Sequence, residues 1–531
     1  MRGQVFICRL PAKVVLAAIL VLSACVRPVR EADPLPTFAP GAEGVQPISD
    51  GENPLLPTPN VFEPGEANAP PTPPPVTVTP FPTYVGVPTP DPTRAPIAEE
   101  GVIIHAVTAG ETLSYVAQLY GLSLAELARL NSLSEEAQLL VGQQLVIPYA
   151  VTVMAPTLKL VPDSEIVYGP SAQTFQVRPF LAFHRSVLLN YFEVVEGVEL
   201  DGGEIVQLVA DRFQVNPRIL LAVAEHQAQL VSRPTMPPVE YVLNFDTEAL
   251  TGLYWQLARA ANLLNLGYYG WTEVAMPAAT LELDDETMVQ LAPGVNGGTV
   301  GVQMLLANVN GTNYEQFRRE ASQTGFLQTY ERLFGSPFAY AVEPLWPENM
   351  EQPELILPWP RGEAWYFTGG PHGGYGWGSS WSALDFVATD EQLGCFDSND
   401  WAVAMADGTI TRSGFGGLVI DLDGDGYAGT GWALHYLHLA ARDRLPAGTT
   451  VRAGEALGHP SCEGGFSNAN HIHVSRTYNG RWVNAAGEIP FVLGGWTSLG
   501  TGREYDGLLV KGEETREACE CREPLNTIVA E

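Results

Sequence analysis

The sequence predicts a multidomain chain: a disordered proline-rich linker, a small βααβ module, an all-α middle domain and an all-β, antiparallel last third. Three observations set that class. About 20 of the 43 prolines fall between residues 26 and 100, where runs such as Pro70-Pro71-Thr72-Pro73-Pro74-Pro75 favour extended polyproline over helix or sheet. From about Leu160 to Pro347 apolar residues recur at helical spacing. Beyond Leu355 short apolar runs alternate with glycine-rich turns, as in strands. A length of 531 residues is consistent with three or four domains.

The N-terminus reads as an address. Arg2, Arg9 and Lys13 precede the apolar run Val14–Leu22, too short to span a membrane but suited to the core of a signal peptide. It ends in Leu22-Ser23-Ala24-Cys25, which resembles a bacterial lipobox. That resemblance implies a signal peptide over 1–24, lipidation of Cys25, and a membrane-tethered protein of the cell envelope, outside the cytoplasm. Residues 25–100 then act as a spacer that reaches on the order of 200 Å when extended. The formal charge of −32 excludes nucleic acid as a partner, since phosphates need Lys and Arg.

A compact module follows at 103–149. Val107-Thr108-Ala109-Gly110-Glu111-Thr112-Leu113 leads into a helix over Ser114–Tyr120 that Gly121 stops. Ser123 caps a second helix ending at Asn131, and Leu140–Pro148 closes as a strand. The Gly-Glu-Thr-Leu and Gly-Gln-x-Leu-x-Ile-Pro signatures resemble those of LysM domains over nearly the whole module. The resemblance implies binding of N-acetylglucosamine polymers, with Gly110, Thr112 and Leu113 on one edge and Leu139 and Val141 opposite.

In the all-α region, 160–347, Glu204–Phe213 has helical periodicity, and Asn216-Pro217 supplies an N-cap and a first-turn proline for Arg218–Val231. Thr247 or Asp246 starts a longer helix through Leu266, with Gly267 just past its end. Further helices cover Val300–Val309, Tyr314–Thr324 and Phe326–Phe334. The stretch up to Glu225 faintly resembles the catalytic helix of lytic transglycosylases, but His226 stands where that family has serine. Glu225 therefore reads as a polar residue at a helix end.

The last third carries the chemistry. Six of nine histidines lie between His372 and His473. His471 and His473 alternate in Asn470-His471-Ile472-His473-Val474, which puts both on one face of a strand. Two imidazoles and a carboxylate suit zinc, and three protein ligands leave the fourth position of a catalytic site open. Gly369-Gly370-Pro371-His372, Ala383-Leu384-Asp385-Phe386, Tyr436-Leu437-His438-Leu439 and His471-Ile472-His473 follow in the order of the lysostaphin-like (LytM-type) zinc endopeptidases. The resemblance covers 355–512 and leaves 513–531 as a tail. Twelve residues separate His372 from Asp385, and Cys462 stands nine before His471, as in the staphylolysin subgroup. That likeness implies one zinc on His372, Asp385 and His473, with His438 and His471 as the catalytic pair. The family usually has Gly-Pro before its His-x-His pair, where this chain has Asn468-Ala469-Asn470. On a strand, His435 and His438 face opposite ways, so only one enters the site, and the family pattern selects His438. His459 and His226 read as structural.

Cys395, Cys462, Cys519 and Cys521 permit three pairings. Cys395 with Cys462 is preferred because both flank the catalytic sheet, whereas cysteines two apart rarely bond to each other. Asp421-Leu422-Asp423-Gly424-Asp425-Gly426 begins like a calcium loop, but its twelfth position is Trp432, not a bidentate glutamate. A hairpin tip explains it, which argues against calcium. The function implied is a membrane-anchored zinc endopeptidase that binds peptidoglycan, through its glycan and its stem or cross-bridge peptides, and cuts the cross-links. The competing class is a non-catalytic peptidoglycan-binding regulator or scaffold of wall hydrolases, which the full set of five site residues disfavours.

Overall fold

The computed structural model describes residues 102–531 except 108–110, 120–123, 136, 141, 149–152, 238–239, 274–279, 286 and 390–393. The expected signal peptide, the linker and Cys25, together with Gly110 and Val141, lie outside the described residues.

The first module is βααβ. Strands β1 (Val102–Ala106) and β2 (Gln144–Pro148) pair antiparallel, with α1 (Leu113–Leu119) and α2 (Leu124–Leu130) between them in sequence. Thr112 caps α1 by accepting the Tyr115 amide at 3.2 Å, which satisfies one of the helix's free donors. The Asn131 side chain joins the end of α2 to β2 by donating to Leu127 O and Val146 O and accepting from Val146 N. Leu113, expected on a glycan-binding edge, is buried with Val116, Leu127, Leu145 and Ile147. Its side chain builds the core, and Leu139 packs partly against the same cluster. Thr112 stays exposed.

The middle region is mainly helical: α3 (Val177–His184), α4 (Gly202–Phe213), α5 (Pro217–Ala228), α6 (Leu253–Thr272), α7 (Gly297–Asn310), α8 (Tyr314–Glu320) and α9 (Phe326–Phe334). Asp201 and Glu204 form a capping box at α4. Asn216 accepts the Arg218 amide at the start of α5, with Pro217 in its first turn. The all-α expectation needs correction. Val153–Met154 pairs parallel with Met288–Gln290, which pairs with Thr280–Glu282. Phe192–Val195 and Val198–Asp201 form a hairpin whose two-residue tip, Glu196-Gly197, has φ +50° and +83°, the backbone of a type I′ turn.

The long helix also departs from expectation. Thr247 precedes a single 3₁₀ turn, α6 starts at Leu253, and it runs straight through Gly267. A Cβ on Gly267 would lie 2.7 Å from Val300 O and 2.8 Å from Gly301 Cα, and one on Gly301 would lie 2.7 Å from Leu264 O. Gly267 is there so that the backbones of α6 and α7 can touch, not to end a helix.

The last third is built on one twisted antiparallel sheet. Its strands are β3 (Ala364–His372), β4 (Ala383–Ala388), β5 (Gly408–Gly414), β6 (Gly417–Asp421), β7 (Trp432–Leu437), β8 (Thr450–Val451), β9 (Ile472–Tyr478), β10 (Arg481–Trp482) and β11 (Thr527–Val529), in the order β8-β5-β6-β7-β9-β4-β3-β11 with β10 paired to β9. One face buries Trp359, Trp365, Phe367, Leu384, Phe386, Leu434, Tyr436 and Val474. The segment after 512, read as a tail, belongs to this domain. Glu514–Glu517 joins a four-stranded sheet and β11 pairs with β3, so the C-terminus covers the edge that β3 would otherwise leave open.

Replacing Gly267 by alanine is expected to destabilise the helical region by about 1–3 kcal/mol, because overpacking outweighs the better helix propensity of alanine. Urea unfolding followed by tyrosine and tryptophan fluorescence tests this. An unchanged or higher midpoint would show that the two helices can separate freely.

Candidate metal centre

The register of three strands assembles the site. His473 on β9 lies directly opposite Asp385 on β4, and β4 pairs in turn with β3, where the register shifts on either side of Gly369 before His372 meets Ala383. A bulge of this kind re-aims a side chain. A Cβ on Gly369 would stand 2.6 Å from Asp385 Oδ2, so glycine is needed for the carboxylate to lie across β3.

The ring contacts fix which nitrogens face inward. His372 Nδ1 lies 2.8 Å from Gly370 O, and His473 Nε2 lies 3.0 Å from Gly374 O. A ring nitrogen against a carbonyl must donate, so in the neutral rings His372 Nε2 and His473 Nδ1 carry lone pairs. Those two atoms are 3.0 Å apart and stand 3.3 and 3.2 Å from Asp385 Oδ1. Asp385 Oδ1 is buried without a hydrogen-bond donor of its own. Three acceptors therefore converge within 4.8 Å, an arrangement that only protons or a cation can satisfy. Burial lowers the pKa of His372, but the Asp385 carboxylate outweighs it and leaves His372 above its ordinary value. Burial raises that of Asp385, yet the facing imidazoles hold it well below the usual carboxylate range. The donor set and the carbonyl-fixed tautomers fit a divalent transition metal, zinc above all.

Two further imidazoles flank this trio. His471 Nδ1 donates to Ala469 O at 2.9 Å and approaches Ser467 Oγ at 3.3 Å, while its Nε2 stands 3.8 Å from Asp385 Oδ1. His438 Nδ1 donates to Glu463 O at 2.8 Å, and its ring centre is 4.4 Å from that of His471. Burial, reinforced by His471 and His473, pushes the His438 pKa well below the ordinary value. It is therefore neutral at pH 7, with Nε2 as an acceptor.

The chain is similar to known families and sequences. Residues 159–348 match the family "LasA, N-terminal domain", and residues 105–148 match the LysM domain family. The "Protease LasA" sequences of Pseudomonas aeruginosa strains UCBPP-PA14 and PAO1 are each 24% identical over 351 residues, covering 61% of this chain and 75% of the relative. The chain is thus similar to the LasA proteases and carries a segment that matches the LysM domain family. Among solved structures, the M23 metalloprotease pseudoalterin from the deep sea is 25% identical, covering 32% of this chain and 96% of that one with a TM-score of 0.26. The catalytic domain of lysostaphin from Staphylococcus simulans is 22% identical over 23% of this chain and 87% of that one, with a TM-score of 0.17.

Several expectations about this site need adjustment. His438 enters it as expected, but not by strand alternation, since it follows the end of β7 with φ +63°. His435 does not face away. It pairs with Ser475, which shares the His473 face. His435 is buried one row from the metal trio, 3.0 Å from Thr477 Oγ1 and packed on Trp482. Cys395 and Cys462 are bonded, and so are Cys519 and Cys521, contrary to the expectation for cysteines two apart. The Asn526 amide gathers the carbonyls of both Cys519 and Cys521, which holds that turn closed. Glu225 is a structural anchor, accepting from Val231 N, Ser232 N, Ser232 Oγ and Arg332.

No motif in the sequence marks Tyr505. Its ring stacks on His372 with centroids 4.2 Å apart, on a loop tied to Gly370 and Pro371 through backbone hydrogen bonds. Burial, then Asp385, raises its pKa, so the phenol stays a donor.

Metal and protons compete for the same lone pairs, so lowering the pH must release the ion. Equilibrium dialysis against zinc is expected to give about one ion per chain at neutral pH and a sharp loss below about pH 6. His473→Ala and Asp385→Ala should hold far less than one ion at any pH. Stoichiometric zinc in either variant would rule out this ligand set.

Proposed function

We propose that this chain is a zinc endopeptidase of the cell envelope that holds peptidoglycan through its LysM domain and cuts peptide bonds in the cross-links. The observation that carries the reading is the pairing of two roles among four imidazoles. His372 and His473 turn lone pairs onto Asp385, while His438 and His471 have their Nδ1 atoms committed to backbone carbonyls and present free Nε2 atoms beside them. A site of structural metal has no use for the second pair.

His372, Asp385 and His473 would hold zinc, which would supply Lewis-acid chemistry at the scissile carbonyl. His471 Nε2, an acceptor near Asp385, takes the proton of the attacking water. His438 Nε2 is also an acceptor when neutral. Once either ring is protonated, its Nε2–H can steady the tetrahedral intermediate or pass the proton to the leaving amine. The Tyr505 phenol, half exposed beside His372, adds a donor at the same edge. The LysM domain contributes local concentration at the wall and no chemistry. The lipobox-like Leu22-Ser23-Ala24-Cys25 supports a lipid anchor at Cys25. No described helix is long and apolar enough to cross a membrane.

His471→Ala and His438→Ala are expected to retain zinc while turnover of wall peptides falls by at least about 100-fold, the scale of a lost general base. Release of peptide fragments from purified wall, followed by mass spectrometry, reads this out. Retained activity in both variants would remove the proposed pair from the reaction.

Deleting residues 101–150 should weaken sedimentation with insoluble wall and leave hydrolysis of short soluble peptides unchanged. An equal loss on soluble peptides would place the LysM domain in the active site itself.

A further inference from the structure

The catalytic pair is gripped by a short segment around Cys462. Ser461 N donates to His438 O at 2.7 Å and Ser461 Oγ donates to the same oxygen at 3.1 Å. On the other side of Cys462, Glu463 O accepts a hydrogen bond from His438 Nδ1. Ser461 also forms a β-bridge with His471. The residues on either side of Cys462 therefore hold both histidines.

This segment is fastened at one place from outside. Cys462 is bonded to Cys395, 67 residues away in sequence, which pins it to the strip Gly394–Phe396. Asn470, directly before His471, is sewn to the same strip. Its amide N–H donates to Gly394 O at 3.1 Å, its Nδ2 donates to Phe396 O at 2.7 Å, and its Oδ1 accepts from Phe396 N at 3.3 Å. The Asn470 carbonyl-amide group is thus used like one rung of a sheet. Cys462 Sγ lies 3.6 Å from Asn470 Oδ1, and Asn470 is 1% exposed. Asn470 occupies a position before the His-x-His pair where the resemblance leads one to expect proline. Here a side chain and a disulfide impose the constraint that a ring would impose through φ.

We propose that Asn470 and the Cys395–Cys462 disulfide form a clamp that positions His438 and His471, so that reducing the disulfide or removing the Asn470 amide disables the pair while the metal trio stays intact. Asn470 is a positioning residue, acting through the imidazole next to it. Reduction by a phosphine or a thiol breaks the S–S bond, gives two thiols and consumes one two-electron reductant, so an oxidising compartment keeps the clamp closed. The claim rests on the catalytic pair proposed above, and its test includes a measurement that does not need turnover.

Full-length protein labelled with ¹⁵N-histidine is compared before and after titration with a non-chelating phosphine, alongside Asn470→Ala. Cys519→Ser/Cys521→Ser serves as the control for the second disulfide. In the starting protein, His438 and His471 are expected in the single Nδ1–H tautomer that their carbonyl contacts impose. After reduction, and in Asn470→Ala, those two rings should lose the single tautomer while His372 and His473 keep their signals and zinc stays near one per chain. On a soluble peptide kcat should fall roughly 10- to 100-fold with KM little changed, the scale for groups that orient catalytic residues. The control variant should respond to the phosphine in the same way. Unchanged His438 and His471 tautomers after full reduction of Cys395–Cys462, or loss of zinc together with the pair, would overturn the clamp. The predicted tautomer change in a protein that cuts no peptide would support the clamp and refute the proposed reaction.

Discussion

Everything in the last domain answers to one buried carboxylate. Asp385 is shut away from water among His372, His473 and His471, with Oδ1 lacking a donor. An uncompensated charge in such a place costs several kcal/mol. The fold brings an imidazole lone pair to it from each of two strands, so that a cation held among the three acceptors would offset that cost. The bulges around Gly369 and the missing side chain there exist to let the carboxylate lie across β3.

The sheet divides its two faces between stability and chemistry. The apolar face supplies a core dense in tryptophan and phenylalanine, and the face bearing the histidines is covered in part by the helical domain. The loop 373–382 is the contact that matters for the site, because it carries Gly374 O, the acceptor for His473. That loop is held from α6 and the residue that follows it: Gly378 N donates to Asn262 Oδ1 at 3.1 Å, and Ser380 Oγ donates to Glu273 Oε2 at 2.6 Å. Trp482 N, on β10 beside β9, donates to Tyr269 OH at 3.0 Å. The helical domain therefore buttresses the outer partners of a metal ligand, and its packing influences the site without contributing a ligand.

The four site histidines and the aspartate could be read in the sequence because each sits in a short motif, and because strand alternation is strict for His471 and His473. The same rule misplaced His435, since it assumes that the strand continues. β7 ends at Leu437, and His438 adopts a left-handed backbone that turns it into the cleft from a position the alternation assigns to the other face. Gly267 was misread for a related reason. A glycine at a helix end and one at a helix crossing look alike in sequence, and only the neighbouring α7 tells them apart. Leu113 carries a motif signature, but its burial makes it a core residue of its module.

By itself the sequence determined the order of domains, the βααβ module, most helix starts and the chemical identity of the site, because these depend on local spacing, caps and residue type. Only the tertiary structure decided which imidazole nitrogen faces the centre, how Tyr505 reaches His372, how the chain after 512 completes the sheet, and that Asn470 is tied to the strip beside Cys395. Most of these join residues tens to hundreds of positions apart, and local periodicity has no term for a contact made by the far side of the fold.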